Sequence, residues 1–246
     1  MTLQANNIYK KYKNKYVINN VSIQLNKGEI VGLIGPNGAG KTTSFHMIIG
    51  LIKPDKGKIV LLNQDITFDP MHKRTKKGIG YLAQEPSIFR KLSVEDNILC
   101  ILEMQEKISN QEKKRITEKL IEELGLQKIR NHRGDLISGG ERRRTEIARC
   151  LAINPKFILL DEPFSGIDPI TIEELQKIIF FLKKKNIGIL ITDHNIQEIV
   201  TIADRLYLMF NGKIIKCGST VEIMQDPLIR KIYLGSRIIN FKKNES

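Results

Sequence analysis

The sequence predicts an α/β fold with a central, mostly parallel sheet and a long helical insertion, and three observations carry that prediction. Five short apolar runs recur along the chain: KGEIVGLIG (27–35), KIVLLN (58–63), GIGYLA (78–83), KFILLD (156–161) and IGILIT (187–192). Their apolar residues are nearly continuous rather than alternating, the pattern of strands covered on both faces. From about Ser93 to Ala152 the apolar residues instead recur at helical spacing. A glycine-rich loop, GPNGAGKT (35–42), joins the first run to the apolar helix TSFHMIIGL.

The first run supplies Ile30, Val31, Leu33 and Ile34 to a buried strand that ends in the glycine turn. Ser93, with Asp96 three positions on, caps a helix whose Val94, Ile98, Ile101 and Leu102 share a face. Asn110 is expected to open a second helix carrying Ile116, Leu120, Ile121 and Leu124 and closed by Gly125. Thr171 and Glu174 read as a capping box before Ile172, Leu175, Ile178, Ile179 and Leu182. Near the end, RLYLMFNGKIIKCG (205–218) predicts a hairpin around Asn211-Gly212, because both central positions of a type I′ turn need positive φ. The final NFKKNES reads as a frayed polar end.

At 246 residues the chain suits one α/β domain, and 41% apolar with 27% charged residues is a globular composition. Cys100, Cys150 and Cys217 stand far apart with no CxxC spacing, which argues against a zinc site or a disulfide framework. No run approaches the roughly 20 apolar residues of a spanning helix. The start, MTLQANNIYKKYKNKY, lacks the apolar centre of a signal peptide. A cytoplasmic chain that does not enter a membrane by itself is expected. The net charge of +13 comes largely from lysines spread over several helices, with no basic stripe among aromatics and no Trp. That favours a solvated basic surface over a nucleic-acid interface.

GPNGAGKT matches GxxxxGK[ST] in the strand-to-helix context that the phosphate-binding loop requires. Gly35, Gly38 and Gly40 let successive N–H groups turn inward, and the following helix N-terminus adds positive potential. Pro36, Asn37, Ala39 and Thr43 complete the loop, Lys41 would reach the β- and γ-phosphates, and the Thr42 hydroxyl would ligate Mg²⁺. FILLDEP (157–163) delivers Asp161 and Glu162 at the carboxyl end of a buried strand. Asp161 would hold Mg²⁺ through water, and Glu162 is then free to polarise the attacking water. His46, His72 and His132 have no such context and read as structural.

With Walker A at 35–42, Walker B at 157–162 and ISGGE (137–141) between them, the sequence resembles the ATP-binding cassette ATPases along essentially its whole length. The resemblance implies a P-loop core of about 1–88 and 154–246 with an antiparallel β subdomain, and a helical subdomain of about 89–153. It implies that Ser138, Gly139, Gly140 and Glu141 cover the γ-phosphate of ATP held by a second copy of the chain. It assigns adenine stacking to Tyr12, contact with Mg²⁺ and water to Gln84, a place across the dimer seam to SGID (165–168), and γ-phosphate contact to His194. Within the superfamily, GIGYLAQEPSIFRKLSVEDNI, ISGGERRRTEIARCLA, ITDHNIQEIV and the terminal IYLG are similar to the ATPases of lipopolysaccharide export, with those of branched-chain amino-acid import as neighbours.

That likeness implies a homodimer on the cytoplasmic face of an inner membrane, attached through two integral membrane subunits resembling LptF and LptG. An exposed Ile88-Phe89 beside Arg90 would suit a groove for such a partner. Non-transport relatives that act on nucleic acid or ribosomes carry very long coiled coils or two cassettes in one chain, and this sequence has neither.

Overall fold

The computed structural model describes residues 1–105 and 108–226; the terminal IYLG and NFKKNES stretches lie outside the described residues. Its centre is a six-stranded sheet. From one edge it runs β10 (Lys213–Ser219), β9 (Arg205–Phe210), β3 (Ile30–Ile34), β8 (Gly188–Thr192), β7 (Phe157–Asp161) and β6 (Ile79–Leu82). All neighbours are parallel except β10 on β9. Strands β3, β7 and β8 are buried at every residue, which explains their unbroken apolar sequence. Ile30 and Ile34 enter the core on one face, and Val31 and Leu33 enter the core on the other.

A second, antiparallel sheet has the order β2 (Lys15–Asn26), β1 (Thr2–Tyr12), β4 (Lys56–Leu61), β5 (Gln64–Asp65). Here the structure corrects the sequence reading. KIVLLN belongs to this sheet and not to the central one, and its place there is taken by β9. Strand β4 buries Ile59 and Leu61 but exposes Lys56, Gly57 and Lys58, the pattern of a strand covered on one face. The two longest strands, β1 and β2, are absent from the expected set because their pairing is broken by repeated register shifts and they mix lysines with buried Leu3, Ala5, Ile8, Ile18, Val21, Ile23 and Leu25. The hairpin forms as expected, with Asn211 at φ 46° and Gly212 at φ 75°.

Helices α3 (Val94–Glu103), α4 (Asn110–Glu123) and α5 (Gly139–Ala152) pack on one another through Ile98, Leu102, Leu120, Ile121, Leu124 and Ile147. Ser93 caps α3 by accepting from the Asp96 N–H. Asn110 opens α4 as expected, with Ser109 as its N-cap. One cap assignment shifts: Asp168 caps α6 (Pro169–Lys184) with Pro169 in the first turn. Thr171 is the residue whose N–H and hydroxyl Asp168 receives, so a short carboxylate with a proline behind it outcompetes the Thr171/Glu174 pair.

The P-loop helix α1 (Lys41–Ile49) is held at its far end by Arg74 of α2 (Met71–Lys76), a residue only 1% exposed. Its guanidinium donates to the carbonyls of Met47 at 2.8 Å, Ile48 at 2.6 Å, Asp69 at 2.8 Å and Thr67 at 2.8 Å. The cation thus meets the negative end of the α1 dipole. Burial pushes its pKa down to about 10. Arg74→Ala strands several buried carbonyls and should lower unfolding free energy by about 3 kcal/mol or more in urea titrations.

Candidate nucleotide site

The strand order sets the site. Because β3, β8, β7 and β6 lie side by side and point the same way, their carboxyl ends bring the P-loop, His194, Asp161-Glu162 and Gln84 to one sheet edge. A cavity of about 630 Å³ opens there, lined by Val17, Asn37, Gly38, Gly40, Lys41, Thr42, Thr43, Gln84, Glu162, Ser165 and His194.

The loop needs its glycines at specific points. Gly40 caps α1 at φ 109°, and a Cβ there would lie 2.7 Å from Ile18 and 2.8 Å from Met209. At Gly35 a Cβ would come within 2.3 Å of the Met209 carbonyl oxygen. Ala39 is buried beneath the loop. Lys41 is 7% exposed, and its ammonium donates to the carbonyls of Gly35 at 2.7 Å and Pro36 at 3.1 Å. Burial lowers its pKa, and Glu162, Asp161 and Asp193 oppose that shift.

Glu162 sits at φ 46°, a conformation that a long side chain adopts at a cost. Its N–H donates to the Thr192 carbonyl at 2.7 Å, continuing the β7–β8 ladder, so the strain is held by the sheet. Its Oε2 accepts from Gln84 Nε2 at 2.8 Å and lies 3.4 Å from His194 Nδ1. His194 Nδ1 is also 3.4 Å from Asp193 Oδ1. The Asp193 carboxylate accepts from the N–H groups of Phe164 and Asn195, each at 2.9 Å, and burial raises its pKa. Gln84, Glu162 and His194 therefore form a polar cluster facing the P-loop across the cavity.

Asp161 is 3% exposed, and burial raises its pKa. Tyr81 OH reaches its Oδ2 at 3.4 Å, whereas its Oδ1 is buried without a hydrogen-bond partner, as is Thr192 Oγ1. A buried, unpaired carboxylate oxygen beside a P-loop suits a hard cation. Among the described residues no cluster of three or more His, Cys, Asp or Glu could hold a metal. One buried carboxylate suits Mg²⁺, which uses only one or two carboxylates and completes its octahedron with other hard oxygen donors, phosphate oxygens and water. Without metal, an acid whose folded pKa is raised binds more protons folded than unfolded, so its contribution to stability falls as pH rises through the window between the two values. Asp161→Asn should accordingly raise the thermal midpoint of the ligand-free chain at pH 8, by an increment that shrinks as pH falls below the folded pKa.

Several expected residues lie elsewhere. Tyr12, at the end of β1, is 46% exposed and does not line the cavity; Lys10 Nζ sits 5.7 Å from its ring. Ser138, Gly139, Gly140 and Glu141 do not line it either. They open α5 in a capping box: the Glu141 N–H donates to Ser138 Oγ at 3.3 Å and the Ser138 N–H to Glu141 Oε2 at 2.8 Å. Ile88 is buried in the core, which corrects the exposed Ile88-Phe89 pair; only Phe89 is open, at 46%, with the Arg149 guanidinium 4.4 Å above its ring. Val17 and Asp193 were not anticipated. Val17 lies on β2 where the strand packs on the distant Asn211-Gly212 turn, whose Gly212 carbonyl accepts the Asn19 N–H at 2.8 Å, a contact that leaves no local mark, whereas Asp193 could have been suspected from its place directly before His194.

Among the described residues no helix is long and apolar enough to cross a membrane. Residues 18–165 match the family model described as ABC transporter. The chain is 51% identical to the lipopolysaccharide export system ATP-binding protein LptB of Acidithiobacillus ferridurans over 235 residues, covering 96% of this chain and 97% of that one. Among solved structures it is similar to the ADP conformation of MJ1267, an ATP-binding cassette of an ABC transporter, with TM-score 0.85 and 32% identity over 96% of this chain and 100% of that one. It is also similar to the dimeric post-hydrolysis state of the cassette MJ0796 bound to ADP and Pi, with TM-score 0.77 and 26% identity over 89% and 98% of the two chains. On the matched family model, the end-to-end likeness and a P-loop facing its acidic strand end, this chain belongs to the ABC transporter family as one of its ATP-hydrolysing cassettes.

Proposed function

We propose that this ATPase powers lipopolysaccharide extraction from the inner membrane, as a homodimer on its cytoplasmic face bound to two integral membrane subunits resembling LptF and LptG. The observation that carries the reading is the 51% identity, nearly end to end, with a lipopolysaccharide export ATP-binding protein. No observation favours the branched-chain amino-acid importer over it. The helical part, about 89–153, and the core, about 1–88 and 154–246, act as the two lever arms of the cassette.

Each ATP lies on one chain's P-loop and is covered by the other chain's Ser138, Gly139, Gly140 and Glu141. This arrangement is supported by the place of those residues outside their own chain's cavity and by the dimeric state of the MJ0796 cassette. Lys41 and the loop N–H groups bind the phosphates, and Tyr12 stacks on adenine. Water attacks the γ-phosphorus, its proton passes to the Glu162 carboxylate, and ADP leaves. Gln84 and His194 fix the Glu162 carboxylate toward that water, as their contacts with its Oε2 indicate. Mg²⁺ bound by Thr42, Gln84 and Asp161 would neutralise charge on the leaving phosphates.

The test is purification of the tagged chain from solubilised membranes, with mass spectrometry of what accompanies it. Two integral subunits of the LptF and LptG kind are expected. Amino-acid permease subunits in their place would overturn the transport assignment and leave the ATPase untouched.

A further inference from the structure

The segment that carries Gln84 is gripped by one face of α5. Arg143 Nη1 donates to the Ala83 carbonyl at 3.0 Å, directly before Gln84. Glu146 Oε1 accepts the Ser87 N–H at 2.5 Å, and Arg149 Nη1 donates to the Ser87 carbonyl at 2.5 Å. The three side chains are spaced three residues apart, so they share a face of the helix. Glu146 is the hub: its side chain is 3% exposed, and its second oxygen accepts from Arg143 Nη1 at 3.1 Å. A buried carboxylate is costly unless it is paired and hydrogen-bonded. Here both oxygens are used: Oε1 holds Ser87 directly, and Oε2 pairs with Arg143 of the same helix, which in turn holds the Ala83 carbonyl.

We propose that Glu146 is a positioning residue for ATP hydrolysis: with Arg143 it clamps the main chain on both sides of Gln84 and so keeps the Gln84 amide against Glu162. The inference rests on the proposed role of Glu162 in hydrolysis. The local geometry supports it, because the clamp fixes Ala83 and Ser87, and between them Gln84 Nε2 lies 2.8 Å from Glu162 Oε2. The same helix opens on Ser138, so the clamp also joins the neighbour's ATP to the chain's own water-activating cluster.

The test uses the full-length chain, with turnover and equilibrium ATP binding measured side by side. Removing Glu146 alone leaves Arg143 unpaired, so the decisive variant replaces both, Glu146→Leu with Arg143→Met, and leaves no buried ion without its partner. Turnover should fall between about 10-fold and 100-fold, the upper figure being what an active-site displacement near 1 Å can cost, while KM for ATP changes by less than about twofold. Glu146→Gln, whose amide oxygen still accepts the Ser87 N–H, should be intermediate.

The discriminating measurement is a double-mutant cycle: in a Gln84→Ala background the paired substitution should cost no further turnover, since it acts through Gln84. Losses that multiply across that cycle, or a fall in turnover matched by the rise in KM and the drop in thermal midpoint, would reduce Glu146 to a packing role. If the unmodified chain shows no ATP turnover, the hydrolytic reading fails and the clamp falls with it. If the unmodified chain is active and the cycle is additive, only the clamp fails.

Discussion

Glu162→Gln is expected to lower ATP turnover by about 10²–10⁴-fold, the range that a positioned general base contributes, while ATP binding and ATP-dependent dimerisation persist. The substitution keeps the length and shape of the side chain and the backbone anchor from the Glu162 N–H to the Thr192 carbonyl. It removes only the capacity to accept a proton. The amide oxygen can still receive Gln84 Nε2, so the cavity wall should stay in place. Lys41 and the P-loop are unaltered, and the phosphates keep their binding groups. Phosphate release measures the first effect, and the elution volume in size-exclusion chromatography with and without ATP measures the second. Near-normal phosphate release from the variant would move the base elsewhere, with His194 as the next nearest proton acceptor.

The second large effect tests whether the site is shared between two copies. Lys41→Ala and Ser138→Arg should each abolish turnover alone, the first by removing the buried cation that meets the phosphates, the second by placing bulk and positive charge at the start of α5. When the two variant chains are mixed, each mixed dimer contains one site with both an intact P-loop and an intact Ser138. Half of the dimers are mixed and each has one of its two sites whole, so turnover should return to roughly a quarter of the unmodified level if the sites act independently. Were Ser138 to serve the P-loop of its own chain, every site in the mixture would carry a defect and no activity would return. Colorimetric phosphate assay over a range of mixing ratios separates the two.

The site was legible in sequence to different depths. GPNGAGKT and FILLDEP announce themselves because their chemistry is local: glycines, a lysine and a hydroxyl within one turn, or two carboxylates at a strand end. His194 and Gln84 are single residues with no local pattern, and it took the family likeness to single them out. Val17 was silent, because β2 carries it to the cavity and the alternation of β2 is interrupted at Asn19-Asn20, where its pairing with β1 also shifts register. Ile88 was misjudged for a related reason: an apolar residue beside an exposed Phe89 looks the same in sequence whether it faces the core or solvent.

The sequence by itself determined the buried parallel strands, the strand-to-helix phosphate loop, the Asn211-Gly212 hairpin and the capped helix at Ser93, since each rests on periodicity or on the conformational preference of residues adjacent in the chain. Only the tertiary structure decided which sheet received β4, that β8 lies between β3 and β7, and hence that His194 stands beside Glu162 facing Lys41. It alone showed Arg74 closing the far end of α1, and Glu146 with Arg143 gripping the chain on either side of Gln84. Those are contacts between residues distant in sequence. Strand order and the pairing of buried charges depend on how whole faces pack, a property that no short stretch of chain carries.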